Sequence, residues 1–135
     1  MSQVIKPVFL VEDNPMDADL TLRSFSKNKF DRPVVVARDG EEALAWIERW
    51  ESGETLPLVV LLDLNLPKFS GMEVFHAYQK HELARQIPVV FLFSSEEDRK
   101  IHEMGQICEN LYLVKPINFE KFKQLIHAAG INDMP

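Results

Sequence analysis

Five short apolar runs alternate along the chain with longer stretches whose apolar residues recur at helical spacing. The runs are Val8-Phe9-Leu10-Val11, Val34-Val35-Val36-Ala37, Leu58 to Leu62, Val89 to Phe93 and Leu111 to Val114. Each has the length of a strand, and most are rich in Val, Leu or Phe. They lack polar alternation, which predicts strands covered on both faces, as in a parallel sheet. Between them, Asn14-Pro15 predicts a helix start, with an Asn cap and Pro at the first helical position. Ala18, Leu22 and Phe25 follow on one face. A second helix is expected from Asp39-Gly40, carrying Ala43, Leu44 and Ile47. A third opens at Ser70-Gly71, with Met72, Phe75 and Tyr78. A fourth opens at Ser94 or Ser95, with Ile101 and Met104, and a fifth at Asn118, with Phe119, Phe122, Leu125 and Ile126. These stripes are ordinary core faces.

Strand followed by helix, five times over, predicts an α/β fold: a doubly wound, five-stranded parallel sheet with five helices. Right-handed crossovers place the helices on both faces. Trp50 to Pro57 reads as a polar loop inside the domain, and Gly130 to Pro135 as a tail that frays. The 135 residues suit a single domain, 1–135, with a core at about 7–129. Repeats, low-complexity tracts and interdomain linkers are not evident.

Composition changes the picture in three ways. At 46% hydrophobic and 27% charged residues the chain is globular rather than disordered. A net charge of -6 without a basic stripe argues against gripping nucleic acid or an anionic membrane. The single cysteine, Cys108, cannot form an internal disulfide and reads as a small packing residue. The start, Met1 to Pro7, lacks the features of a signal peptide, and no apolar stretch nears the roughly 20 residues of a membrane span. The expectation is a reduced, cytoplasmic protein.

Ligands of open parallel sheets bind beyond the carboxyl ends of the strands. The polar residues just after each run are therefore the candidates. Glu12 and Asp13 follow the first run. Asp63 ends the third, followed by Leu64-Asn65-Leu66-Pro67. Ser94 and Ser95 follow the fourth, and Lys115-Pro116 the fifth. Clustered carboxylates call for a cation, and hard oxygen donors favour Mg²⁺. In such a site a carboxylate oxygen of Asp63 can attack phosphorus in line, giving an acyl phosphate. Lys115 would pair with the phosphoryl oxygens, and backbone N–H groups around Asn65 and Ser94 could donate to the others.

Each of these residues also has an ordinary role. Glu12 and Asp13 suit the start of a helix through its dipole. An Asp at a strand end is commonly a turn residue, a Lys there a solvated one, and Ser94 or Ser95 a cap. It is the conjunction of acids, Asp and Lys-Pro at three strand ends that points to chemistry.

With Phe9-Leu10-Val11-Glu12-Asp13-Asn14, Arg38-Asp39-Gly40-Glu41-Glu42-Ala43, Leu61-Leu62-Asp63-Leu64-Asn65-Leu66-Pro67 with Gly71, and Val114-Lys115-Pro116, the sequence resembles the receiver domains of two-component response regulators from Val8 to about Ala128. Asp63-Leu64-Asn65-Leu66-Pro67-Lys68 and Asn110 to Pro116 look like a subgroup of small single-domain regulators, including those paired with bacterial phytochrome kinases. The resemblance implies the flavodoxin-like receiver fold and a phosphorelay role. It implies that Asp63 is the phosphoacceptor, Asp13 a direct Mg²⁺ ligand and Glu12 the acid holding a metal-bound water. The Asn65 backbone carbonyl would complete the metal shell. Lys115 matches the lysine that pairs with the phosphoryl group, Pro116 a proline after a cis bond, and Tyr112 an aromatic that swings inward on activation. It further implies a phosphohistidine donor on a sensor kinase, and a downstream target or histidine carrier. The partner surface would lie on the fourth helix, fifth strand and fifth helix. The resemblance also implies that the same surface could form a homodimer, since small receivers often dimerise.

One departure is serious. Phe93 occupies the position where the family places Thr or Ser at the end of strand four. A phenyl ring cannot hydrogen-bond a phosphoryl oxygen or yield space to Tyr112. Either Ser94 supplies a substitute hydroxyl or phosphorylation proceeds with rewired switching. Cys108-Glu109-Asn110, where relatives often have Gly-Ala-Asn, is a minor departure. Three rivals remain. An Asp-nucleophile phosphatase would carry a second acid where Asn65 stands. A flavodoxin-like electron carrier would offer N–H and hydroxyl donors where Glu12 and Asp13 stand. A pseudo-receiver, folded alike but never phosphorylated, is favoured by Phe93 and opposed by the intact Glu12, Asp13, Asp63 and Lys115.

Overall fold

The apolar runs form a single sheet. In the computed structural model, which describes residues 5–96, 98 and 111–131, β1 is Val8–Val11, β2 Val34–Ala37, β3 Val59–Asp63, β4 Val89–Phe93 and β5 Leu111–Val114. Every neighbouring pair is parallel, in the order β2-β1-β3-β4-β5. The run that opens at Leu58 enters the ladder at Val59 and carries it through Asp63. Strand order turns back at β1, so the crevice beyond β1 and β3 is the topological switch point.

Helix starts fall where the caps predict. The Asn14 side chain accepts from the N–H groups of Met16 and Asp17 at the head of α1 (Pro15–Lys27). Asp39 accepts from Glu42 N–H at 2.7 Å to open α2 (Gly40–Glu51). Ser70 and Glu73 form a reciprocal capping box at α3 (Gly71–Gln79). Asn118 caps α4 (Phe119–Ala128), the last of the five helices expected from the sequence. The expected helix after β4, with Ile101 and Met104, falls mostly outside the described residues, as does Cys108. Its expected cap is described: the Ser95 hydroxyl oxygen accepts from Asp98 N–H at 3.0 Å. The tail beyond Ile131 is also outside them.

Side chains alternate along each strand and so feed two cores. Phe9, Val11, Val60, Leu62, Phe91 and Phe93 face α2 and α3, against Ala43, Trp50, Val74 and Tyr78. Val8, Leu10, Val59, Leu61, Val90 and Leu92 face α1 and α4, against Ala18, Phe25, Phe122 and Ile126. The second core closes on ring contacts of Phe25 with Phe30, Phe119 and Phe122, at centroid distances of 4.9–5.3 Å. Each fully buried ring contributes about 1.5–3 kcal/mol over its exposed state. Tyr78 is buried too, and its hydroxyl donates to Ala43 O at 2.6 Å, tying α3 to α2. This double layer fixes where each strand delivers its last residue.

Candidate functional site

Carrying the alternation one residue past β1 and β5 puts Glu12 and Lys115 on the α1 side of the sheet, as Asp63 is at the end of β3. The three side chains meet there. Lys115 Nζ donates to Asp63 Oδ2 at 2.8 Å, to Glu12 Oε1 at 3.1 Å and to Asp17 Oδ2 at 3.0 Å. An ammonium has three donors, and all three go to carboxylates. The Lys115–Pro116 peptide bond is cis. Lys115 N–H donates to Phe93 O at 2.8 Å, which anchors the residue to the end of β4.

The carboxylates differ sharply in exposure. Glu12 and Asp63 are 1% and 2% exposed, while Asp13 is half-buried. Buried acids require a partner, and Lys115 donates to both. Burial, followed by the hydrogen bond and charge of Asp63, pushes the Glu12 carboxyl from its usual 4.5 up to about 8; Lys115 pulls it the other way. Burial works against the Lys115 ammonium, but the hydrogen bonds to Asp63 and Asp17 outweigh it and hold the group above its ordinary range.

Backbone groups complete the mount. Asn65 N–H donates to Asp63 Oδ1 at 2.9 Å. Gly71 N–H donates to Leu64 O, and a Cβ on Gly71 would stand 2.5 Å from Asp63 O. Only glycine lets the first turn of α3 press this closely on the Asp63 peptide. Single carboxylate oxygens of Glu12, Asp13 and Asp63 lie within 4.8 Å of one another. An all-oxygen donor set of this kind fits a small hard dication.

The far side of the rim is different. Phe93 is buried in the α2–α3 core, and its ring meets the half-buried Tyr112 edge-to-face at 5.8 Å. Ser94 is exposed, and both its N–H and its O–H donate to Asp98 Oδ2, at 3.1 and 3.2 Å. Asn65 Nδ2 donates to that same oxygen at 3.0 Å. Glu12, Asp63 and Lys115 are thus in direct contact, with Asp13 and Asn65 beside them, while the Ser94 side chain turns to Asp98. Asp17 and Asp98 were not among the sequence candidates. Each is an acid in the first residues after a cap, the commonest place for one, so spacing alone does not single them out.

The chain matches the family model of the response regulator receiver domain over residues 8–127. The probable methanogenesis regulatory protein FilR2 of Methanothrix harundinacea is 39% identical over 120 residues, spanning 88% of this chain and 77% of its own length. The bacteriophytochrome response regulator AtBRR superposes with a TM-score of 0.87 at 38% identity, covering 98% of both chains. The Mn²⁺-bound form of response regulator Rcp1 superposes with a TM-score of 0.70 at 29% identity, over 96% of this chain and 97% of its own. Among the described residues, no helix is long and apolar enough to cross a membrane. The receiver fold, the acidic crevice and these matches agree: the chain belongs to the response regulator receiver domain family.

Proposed function

We propose that the chain is a stand-alone, cytoplasmic response regulator, a single domain over 1–135, that takes a phosphoryl group onto Asp63 and signals by binding. The donor is a phosphohistidine on a sensor histidine kinase, of the phytochrome type if the likeness to AtBRR extends to its partner. A downstream protein or histidine phosphotransfer protein then reads the change. The observation that carries this reading is the contact of Lys115 Nζ with Asp63 Oδ2 at 2.8 Å, inside the cluster of Glu12, Asp13 and Asp63.

Asp63 attacks phosphorus as the P–N bond to the histidine breaks, and the imidazole leaves. Lys115 is positioned to follow the charge from the carboxylate to the phosphoryl oxygens. Asp13, Asp63 and the Asn65 carbonyl would hold Mg²⁺ directly, with Glu12 holding one of its waters. Bound there, the cation neutralises phosphoryl oxygens and fixes their orientation. That response regulator Rcp1 has an Mn²⁺-bound form supports binding of a dication. The chain is a phosphoacceptor assisting its own modification, not a turnover enzyme.

Switching should be atypical, because Phe93 offers no hydroxyl and its ring rests on Tyr112. That same packing favours the second reading, a pseudo-receiver that binds its partner without being phosphorylated. Intact mass after incubation with Mg²⁺ and acetyl phosphate separates the two. One added phosphoryl group on the wild type and none on Asp63→Asn is the expected result. A folded wild type that gains no mass at saturating Mg²⁺ supports the pseudo-receiver.

A further inference from the structure

We propose that Asp98 is a positioning residue whose carboxylate stands in for the phosphoryl anion in the unmodified protein, holding donors that the phosphoryl group on Asp63 must take over. The inference rests on the reading of Asp63 as phosphoacceptor and deepens it.

One oxygen, Asp98 Oδ2, accepts from Ser94 N–H at 3.1 Å, Ser94 O–H at 3.2 Å and Asn65 Nδ2 at 3.0 Å. Three donors converging on one carboxylate oxygen make an anion site, and they come from the ends of two strands. These donors border Asp63. Asn65 bridges the two acids, with its backbone N–H on Asp63 Oδ1 at 2.9 Å and its side chain on Asp98. Leu92 is the register partner of Asp63, and Ser94 lies two residues further along. Between them, Phe93 O binds the N–H of Lys115, whose ammonium rests on Asp63.

A phosphoryl group on Asp63 brings nearly two negative charges and three acceptor oxygens to this rim. At the end of β4 Phe93 supplies no hydroxyl, so the nearest donors in sequence are those of Ser94. Each of these is a single proton already given to Asp98. The two anions compete for the same hydrogens and repel one another, so phosphorylation and the Asp98 clasp exclude each other. Asp98 thereby becomes the two-state element in a receiver whose β4 residue cannot move as a hydroxyl residue does. Its own N–H, held by the Ser95 hydroxyl at 3.0 Å, keeps the backbone anchored when the carboxylate is displaced.

A purely structural cap would behave differently under charge removal. Asp98→Asn keeps the shape and an acceptor oxygen but loses the charge, Asp98→Ala loses both, and Asp98→Glu restores the charge. The test measures initial rates of acetyl-phosphate modification of the full chain with Mg²⁺ by intact mass. Amide resonances of Ser94 and of the Asn65 side chain are followed alongside. The specificity constant for the donor should rise about fivefold in Asp98→Asn and Asp98→Ala, the size of one lost competing hydrogen bond. In Asp98→Glu it should fall back toward wild type. The Ser94 and Asn65 resonances of the wild type should shift on modification. Unchanged or slower rates in both Asn and Ala variants, beside a wild type that is modified, would overturn the role of Asp98 alone. No modification of any variant or of the wild type would overturn the Asp63 reading, and this one with it.

Discussion

At the carboxyl ends of β1, β3 and β5 the side chains are ionic and converge on a single ammonium. At the carboxyl end of β4 the side chain is a phenyl ring that packs into the opposite face of the sheet. Glu12, Asp63 and Lys115 continue the α1 face, whereas Phe93 continues the α2–α3 face and leans on Tyr112. The ionic half has what a phosphoacceptor requires. The apolar half lacks what a hydroxyl-based switch requires. On the proposed function, accepting a phosphoryl group and reporting it would be separable tasks, placed on opposite faces of one sheet edge. Substitutions on each side should therefore have different consequences.

The largest effect is expected on the ionic side. Lys115→Met leaves the buried Asp63 carboxylate without its cation and the Glu12 carboxyl without its donor. Removing one partner of a buried ion pair costs about 3–5 kcal/mol. Denaturant unfolding of the metal-free variant should show a loss of that size, and Mg²⁺ should recover part of it. Phosphoryl transfer from acetyl phosphate should slow by roughly two orders of magnitude, as when a preorganised charge at a developing anion is lost. A variant as stable and as reactive as wild type would mean that the ionic half is not the working half.

Next comes Phe93→Thr on the apolar side. Trading a buried ring for a small side chain should cost about 3 kcal/mol through the cavity it leaves. The rate of phosphorylation should barely change. The conformational response should grow instead, because the smaller residue brings a hydroxyl to the end of β4 and gives Tyr112 room. Amide hydrogen exchange over residues 94–115, compared between modified and unmodified protein, reads that response. An unchanged difference between wild type and variant would place the switch elsewhere and erase the division of labour between the two halves.

Much of this edge was legible in the sequence because its causes are local. Asn14-Pro15, Asp39-Gly40, Ser70 with Glu73, and Asn118 cap helices through bonds spanning two or three residues. The continuous apolar runs announced a sheet covered on both faces, and so placed Asp63 and Lys115 at strand ends. What could not be read depends on register and on distant partners. Asp17 reaches Lys115 across 98 positions and Asn65 reaches Asp98 across 33. Neither acid differs in sequence from a first-turn residue that merely favours a helix dipole. The commitment of the Ser94 hydroxyl to Asp98 was hidden for the same reason. That Phe93 and Asp63 point to opposite faces follows only from the alternation of paired strands.

The smallest effect concerns the proton that the ionic half stores. Because the Glu12 carboxyl is raised from 4.5 to about 8, the folded, metal-free protein keeps its proton where the unfolded chain has lost it. The sign follows from linkage. Between about pH 4.5 and pH 8 the folded state binds more protons than the unfolded one, so this group makes the metal-free protein less stable as pH rises through that window. Glu12, Asp13 and Asp63 would hold a dication best with Glu12 ionised, so its binding would displace that proton. Calorimetric titration with Mg²⁺ in buffers of different ionisation enthalpy should therefore detect proton release near neutral pH that fades as pH rises past about 8. Glu12→Gln should bind Mg²⁺ with almost no release. Full release persisting in Glu12→Gln would assign the stored proton to another group and leave Glu12 ionised beside Asp63. Lys115 would then be screening two buried charges rather than one, and the contrast with the apolar half would be sharper still.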